Sequence, residues 1–586
     1  TIPKLVFDNA EQMPDRPAYH VKVGSAWRAT TWATYAGEVR AAAKALVALG
    51  VEVGDKVNIL GFNRPEWVIM DVAAIAVGAV PAGIYTTNSP HECKYIIGHS
   101  EAPLILIEDE GQWDKIVQVR AELPALRTVV LMKGAAVEDE MAMTWEAFLG
   151  AGADVPDDVI DSRLGAAKAD DIGTLIYTSG TTGPPKAVML THDNLTWTPA
   201  QVTGHMKIGA DDTLVSYLPL SHIAEQSFTI AAAAQRGYAV YFAESIDALA
   251  ENLKEVQPTI FFAVPRVWER FHAGVTAKLA EATGVKAKLA AWAMDVGRKV
   301  NDLRNIGEEP AGLLAIQYKL ADTLVFSKVK AALGLGKVRV AATAAAPIAA
   351  EILEFFAGLD ILIWEIYGQS EDTGPTSVNL PGRTRFGSVG VSYPNVEVKI
   401  AEDGEILVKG RNVFKGYYKD AEATAETLVD GWLQSGDLGE FDDDGFLYIT
   451  GRKKDIIITA GGKNVAPAPI EGGIKNHPLV SEAVVIGDRR KFLSAVVTLD
   501  EEAADKFMAD EGLAGPAHES EAVAGEIQRA IDAVNENLAR VEQIKKFTVL
   551  GRQLSIEDGE LTPTLKVKRN RVTEHFTSEI EAMYRD

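Results

Sequence analysis

The segment Tyr177-Thr178-Ser179-Gly180-Thr181-Thr182-Gly183-Pro184-Pro185-Lys186 gathers four aliphatic hydroxyls, two glycines and a closing lysine within ten residues. Glycines let backbone N–H groups approach a bulky anion, the hydroxyls donate further hydrogen bonds, and a lysine adds a point charge. This is the chemistry of a polyphosphate loop. G-x-x-x-x-G-K-[ST] cannot be aligned on it, so it is not a Walker loop. The plain alternative, a Gly/Thr/Pro turn between two apolar runs, would rarely carry so many hydroxyls. The chain has 58 basic and 82 acidic residues and a net charge of −24, so an anion must be held by local cations and N–H groups. The same balance argues against broad binding to nucleic acid or to an anionic membrane.

From this loop onward the chain resembles the adenylate-forming superfamily of acyl-CoA synthetases, luciferases and peptide-synthetase adenylation domains. Six further segments match in the family's order: Leu218-Pro219-Leu220-Ser221-His222, Thr343-Ala344-Ala345-Ala346-Pro347, Tyr367-Gly368-Gln369-Ser370-Glu371, Gly431 to Asp437, Gly451 to Asp455, and Leu561 to Lys566. The resemblance implies binding of ATP and Mg²⁺ with coenzyme A as co-substrate. It gives Thr178, Ser179, Gly180, Thr181, Thr182, Gly183 and Lys186 to the phosphates, and Ala344, Ala345 and Ala346 to the adenine pocket. Tyr367, Gly368, Gln369 and Ser370 would follow on the adenine, and Thr178 and Glu371 would hold the metal. Asp437 and Arg452 would meet the ribose and phosphate. Lys454 would be a hinge, and Gly461, Gly462 and Lys463 would line a pantetheine channel after the hinge turns. The catalytic set would be Lys566, Glu371, Thr178 and His222.

Each match has a physical reason beside it. A tyrosine ring such as Tyr367 offers a purine a flat apolar face, worth about 0.5–1.5 kcal/mol beyond area burial. A glutamate is a hard ligand for magnesium, which keeps waters and bridges phosphates. An aspartate after glycine can accept from two ribose hydroxyls, and an arginine fork can bridge ribose and phosphate. A lysine between an attacking carboxylate and an α-phosphate offsets their repulsion. Taken singly, these residues would read as a core tyrosine, a surface glutamate, a turn aspartate and a solvated helix start. Lys568 competes with Lys566, and His222 could be only a packed loop residue. Ala187 stands where the family commonly has Gly, which would strain it if that position needs φ > 0, and Ala344 also replaces a frequent Gly.

The segment Phe261 to Arg270, the helical stretch after it and Gly83 to Thr87 resemble long-chain and very-long-chain (bubblegum-type) fatty acyl-CoA synthetases. Phe261, Phe262 and Ala231–Ala234 could wall an alkyl tail at ~0.8 kcal/mol per CH₂. The expected activity is therefore ATP-dependent ligation of a long-chain fatty acid to CoA through an acyl-adenylate. Alternatives are loading of an acyl-carrier protein, a medium-chain or aryl substrate, or a luciferase-like oxidation. A non-catalytic scaffold would be expected to lack Glu371 or Lys566.

The positioning elements follow from length and periodicity. At 586 residues the chain should form at least two units. The expected fold is α/β, with helix-covered, mostly parallel sheets over 1–452 and a mobile α+β unit over 453–586. Helices are expected at Tyr35–Leu49 and Pro65–Val77, and strands at Lys56–Leu60, Leu104–Ile107 and Thr128–Leu131. Residues 266–335 read as a helical insertion and about 385–450 as β-rich. Beyond Lys454, Ile456–Thr459, Ala483–Ile486 and Ser494–Leu499 read as strands and Glu521–Leu538 as a helix. The single cysteine, Cys93, excludes disulfide frameworks and reads as a buried spectator. No leader pattern opens the sequence, and the apolar run Val72–Ile84 is shorter than the ~20 residues of a spanning helix. These features predict a cytoplasmic protein. The insertion is also a candidate for peripheral membrane contact, although its mixed charges show no basic face in sequence, and a homodimer is a further expectation.

Overall fold

Short runs of β-branched and aliphatic residues between amphipathic helices produce parallel sheets covered on both faces. The computed structural model describes residues 1–178, 184–562 and 565–585. Lys56–Leu60 pairs in parallel with Val80–Ile84 and Leu104–Ile107, and the latter with Thr128–Leu131. Ile172–Thr178 joins beside Val80–Ile84 and turns back antiparallel into Lys186–Thr191, completing an eight-stranded sheet among the described residues with Ala142–Thr144 and Gly416–Tyr417. A nine-stranded sheet carries Val340–Thr343 and Ile363–Tyr367 as neighbouring parallel strands. The two sheets meet where Tyr417, paired with Lys186–Thr191, bonds Glu371 just past Ile363–Tyr367, and the region around this contact is the cleft.

The helix expected from Tyr35 begins three residues earlier, at Trp32. Thr31 caps it by accepting the Thr34 N–H at 3.3 Å. The run Val72–Ile84 is indeed a helix end passing into a strand, buried throughout except around Gly78. Ala187 lies in regular strand and carries no strain. Among the site alanines, positive φ falls instead on Ala345, at 75°, just past the strand Val340–Thr343.

A five-stranded antiparallel sheet occupies Val396–Arg452 among the described residues, whereas Val391–Ser392 pairs into the nine-stranded sheet. Gly390 marks that change. Its φ is 77°, and a Cβ there would lie 2.0 Å from Val378 backbone. Residues 265–332 form a run of helices, Pro265–Ala280, Gly284–Asn305 and Gly312–Ala321, joined by short turns, the last running through a π-helical stretch to Ala332. Past the Lys453–Asp455 turn, Val480–Ile486, Leu493–Leu499 and Ile544–Val549 form a three-stranded sheet with its own apolar clusters. The expected strand Ile456–Thr459 shrinks to Ile457–Ile458, because Thr459 turns the chain by bonding Lys463 through backbone and hydroxyl. Cys93 is buried, as expected.

Candidate active site

The segment read as a polyphosphate loop is bounded by two antiparallel strands, Ile172–Thr178 and Lys186–Thr191, which register Thr178 opposite Lys186. Ser179, Gly180, Thr181, Thr182 and Gly183 lie outside the described residues. The anchors are clear. Tyr177 is buried and its hydroxyl meets His99 Nδ1 at 3.0 Å, while Thr178 Oγ1 donates to the Lys186 carbonyl at 3.4 Å. The Lys186 ammonium sits 4.7 Å from the centre of the Tyr417 ring. Tyr417 in turn donates its hydroxyl to Glu371 Oε1 at 2.8 Å. Lys186, the phosphate-binding candidate, and Glu371, the metal-ligand candidate, are thus joined through one aromatic residue.

Glu371 is held by its own turn. A Cβ on Gly368 would lie 1.4 Å from the Gly374 carbonyl oxygen, so only glycine fits after Tyr367. Gln369 donates its backbone N–H to Asp372 Oδ1 at 2.7 Å and its side-chain amide to the Ser435 carbonyl at 3.3 Å. Ser370 is buried, and Asp372 also accepts the Thr376 hydroxyl at 2.7 Å. Burial drives the Asp372 carboxyl well above the usual range. Glu371 remains partly exposed beside it. Ala344 is partly buried, and Ala345 and Ala346 are exposed next to the same strand ends.

Tyr367 is 9% exposed, and its hydroxyl donates to Asp437 Oδ2 at 2.9 Å. Asp437 pairs across its hairpin with Arg452, whose Nε lies 3.5 Å from Oδ1. Burial raises the Asp437 carboxyl, while Arg452, the Tyr367 hydroxyl and Lys566 oppose that rise. Lys566 therefore reaches this cleft from the C-terminal part of the chain. As a residue it is exposed, but its ammonium is lowered from the ordinary lysine value first by burial and then by Arg452, with Asp437 and Glu371 acting the other way. Its backbone is tied at both groups to Thr562: Thr562 N–H donates to the Lys566 carbonyl at 2.8 Å, and Lys566 N–H to Thr562 Oγ1 at 3.0 Å.

His222 completes the group. Burial, then the charge of Lys566, pushes its imidazole down to about 4. Its Nδ1 accepts the Ala224 N–H at 3.2 Å, which leaves the proton of the neutral ring on Nε2. At neutral pH this residue is an uncharged hydrogen-bond donor. Three residues on, Glu225 is buried with Oε1 accepting from Ser216 at 2.6 Å, Thr229 at 2.7 Å and Asn63 at 3.2 Å, and burial pushes its carboxyl up to about 7. Ser221 is pressed against Gly83, where a Cβ would lie 2.7 Å from Ser221 Cα.

Three groups of sequence-read residues do not join this cluster. Lys454 is exposed and carries no ion pair or side-chain hydrogen bond among the described residues, whereas its neighbour Lys453 is fixed to Asp403 at 2.6 Å and Glu405 at 2.9 Å. Gly461, Gly462 and Lys463 are exposed in the hairpin turn, with Lys463 3.7 Å from Glu542 of the same part of the chain. The aromatic wall is split by strand alternation. Phe262 stacks on Phe228 at 5.1 Å in the cluster that holds Ala231–Ala234, while Phe261 faces the opposite side beneath Trp268 and Phe271. Phe261 is therefore scaffold. Sequence reading missed Tyr417, Asp372 and Glu225. Only Asp372, adjacent to Glu371, had a signal, since an acid at the end of a four-residue turn can bond its own backbone.

A family model described as AMP-binding enzyme matches residues 6–418, and one described as AMP-binding enzyme C-terminal domain matches residues 454–586. The chain belongs to the AMP-binding enzyme family. Among curated relatives of this AMP-binding enzyme, the long-chain-fatty-acid–CoA ligase ACSBG2 of Xenopus laevis is 40% identical, covering 100% of this chain and 84% of that protein. The long-chain-fatty-acid–CoA ligase FadD15 of Mycobacterium tuberculosis is 37% identical, covering 99% and 96%. Among solved structures, the anthranilate CoA ligase AuaEII in complex with anthranoyl-AMP superposes with a TM-score of 0.72 at 20% identity, covering 98% of this chain and 97% of that one. The A domain of carboxylic acid reductase from Segniliparus rugosus gives 0.75 at 20% identity, covering 100% and 94%. These structural likenesses establish the α/β fold of the AMP-binding enzyme.

Proposed function

We propose that this AMP-binding enzyme is an AMP-forming long-chain fatty acid–CoA ligase. In the first step a carboxylate oxygen attacks the α-phosphorus of ATP and the bond to pyrophosphate breaks, giving acyl-AMP. In the second the thiol of CoA attacks the acyl carbon and AMP leaves. The observation that carries the reading is the convergence of Lys566 on Glu371, Asp437 and Arg452 from a distant part of the chain. A carboxylate and a phosphate repel each other, and an ammonium fixed between them offsets that repulsion most where the charges are closest, in the transition state. Asp437 and Arg452 would orient the ribose, and the exposed Ala345 and Ala346 backbone would flank the adenine. His222, neutral with its proton on Nε2, would donate to the acyl oxygen without altering the charge of the site. Substrate acid, ATP and CoA are the partners this chemistry needs. Long-chain specificity is inferred from the named curated relatives and from the apolar surface of Phe262 and Ala231–Ala234.

Magnesium fits the donors present. Glu371 has one oxygen engaged by Tyr417, and no cluster of three His, Cys, Asp or Glu surrounds it among the described residues. That suits an ion taking one or two protein oxygens, here Glu371 and Thr178, with phosphates and waters as the remainder. When bound it would neutralise charge on the phosphates. We further read 1–452 and 453–586 as units that reorient about Lys454 between steps. The test is pyrophosphate release and thioester formation over a panel of fatty and aryl acids, with and without CoA. Long-chain acids should give CoA-dependent thioester. Turnover confined to short or aromatic acids would remove the long-chain assignment, and indifference to CoA would remove the ligase assignment.

A further inference from the structure

We infer that the outer face of the helix Gly312–Ala321 and its continuation to Leu324 docks on the surface of an anionic lipid bilayer. Leu313, Ile316, Leu320 and Leu324 are 71%, 59%, 52% and 43% exposed. Their spacing of three, four and four places them along one side of a continuous helix. Ile306, 67% exposed, lies in the turn that leads into this helix. Single exposed apolar residues are ordinary, but a stripe of long aliphatic side chains on one helix is not.

The stripe is not the unfinished core of a loose segment. The opposite side of the same helix packs Leu314, Tyr318 and Ala321 into a cluster with Val296, Val300 and Phe326. Asp360, on the body of the protein, binds three residues of the insertion: Arg304 at 2.9 Å, Tyr318 at 3.1 Å and Lys330 at 2.7 Å. Gly297 lies against Gly358, where a Cβ would come 2.3 Å from the Gly358 carbonyl oxygen. The inner face is thus bolted down, and the outer face is presented rigidly to the surroundings.

Charge selects the occupant. Residues 284–337 hold nine Lys and Arg against five Asp and Glu, in a chain whose net charge is −24. Lys299, Arg304 and Lys330 pair with Asp295, Glu309 and Asp322. Six cations and two acids, Asp302 and Glu308, are left without an ion pair among the described residues. Two of those cations, Lys319 and Lys328, are exposed on the helix of the stripe itself. Sequence order mixes the signs, and side-chain pairing separates them into internal bridges and free lysines. A second copy of the chain docking by the same face would set these lysines against their own copies, whereas anionic headgroups would receive them. The acidity of the rest of the chain is screened beyond a Debye length of about 8 Å. Among the described residues no helix is long and apolar enough to cross a membrane, so contact would be interfacial.

Full-length protein should sediment with phosphatidylcholine vesicles containing about one third phosphatidylglycerol, and about tenfold less with phosphatidylcholine alone or in high salt. The quadruple variant Leu313→Ser, Ile316→Ser, Leu320→Ser, Leu324→Ser should lose about tenfold or more of this binding. It should retain the wild-type melting temperature and its ligase activity on a freely soluble acid. Lys319→Glu with Lys328→Glu should weaken binding to the anionic vesicles alone, and decides the matter if the quadruple variant does not fold. Wild-type protein left in the supernatant overturns the proposal, as does a folded quadruple variant that sediments like wild type. So does a wild-type dimer, absent in the quadruple variant, that does not bind vesicles. The vesicle result is independent of which acid the enzyme activates.

Discussion

Two lysine-bearing turns of the C-terminal part stand in opposite situations. Lys566 reaches into the cleft among Arg452, Asp437 and Glu371, and His222 registers its charge. Lys463, beside Gly461 and Gly462, is exposed and lies by Glu542 of its own part of the chain. Each is closed by a threonine hydroxyl, Thr562 accepting from the Lys566 N–H in one and Thr459 from the Lys463 N–H in the other. Their closing bonds are alike, and on the proposed function what separates them is which one faces the bound phosphates. On the proposed function, this arrangement is the one that serves the first half-reaction. On the proposed rotation, the second half-reaction exchanges the two.

The comparison breaks most sharply at Lys566. Lys566→Ala should slow adenylate formation, read as pyrophosphate release, by about 10²–10³-fold. Thioester formation from supplied acyl-AMP should change by less than about twofold, because that step does not place two anions together. Equal loss of both halves would mean that the turn is structural. The same variant should alter His222. Its imidazole is held at about 4, below the ordinary 6.5, by burial first and Lys566 second. Removing the lysine should move the titration, followed by NMR, upward without reaching 6.5. The sign for stability follows from linkage. The unfolded chain binds the His222 proton more readily between about 4 and 6.5, so acidification through that window costs stability. The cost should be smaller in Lys566→Ala.

The next largest effect belongs to the other turn. Gly462 has φ 77° and donates its N–H to the Thr459 carbonyl at 2.8 Å. A β-branched residue in that left-handed region is disfavoured by about 1–2 kcal/mol, so Gly462→Val should reshape the turn. The expected result is roughly tenfold slower thioester formation from acyl-AMP with adenylation nearly unchanged, since about 1.4 kcal/mol is a factor of ten. Together the two variants should give mirrored losses. Parallel losses would end the idea of exchanged turns.

Much of this was legible in the sequence because each motif is local. The strands Lys56–Leu60, Leu104–Ile107 and Thr128–Leu131 fall where apolar runs place them. Tyr367, Glu371, Asp437, Arg452 and Lys566 converge from four separate segments, of which order along the chain gave the names but not the contacts. Tyr417 had no such name. It lies 231 residues beyond Lys186 and 46 beyond Glu371, and only the pairing of Gly416–Tyr417 with Lys186–Thr191 brings the three together. Glu225 reads as an ordinary helix-start acid, and its burial is set by Asn63 and Ser216 from other strands and turns. Phe261 and Phe262 show the complementary failure. Two adjacent aromatics in a strand cannot both face one pocket.

The smallest effect concerns what holds the first turn in place. Arg266, at the start of the helix Pro265–Ala280, lies 3.5 Å from Asp500 across the boundary between the two parts of the chain, with Glu269 at 3.7 Å on its own helix. The two partners are 35% and 38% exposed. Exposed pairs of this kind contribute about 0.2–1 kcal/mol, so Arg266→Ala should shift the balance between orientations by no more than about fivefold. The shift has a definite direction. On the proposed rotation this contact breaks as Lys566 leaves the cleft, so its loss should slow pyrophosphate release slightly and leave thioester formation unslowed. Raising salt on the wild type should reproduce part of it. A variant that slows both halves equally would show that Arg266 supports the fold of its helix and does not act as a latch between the two turns.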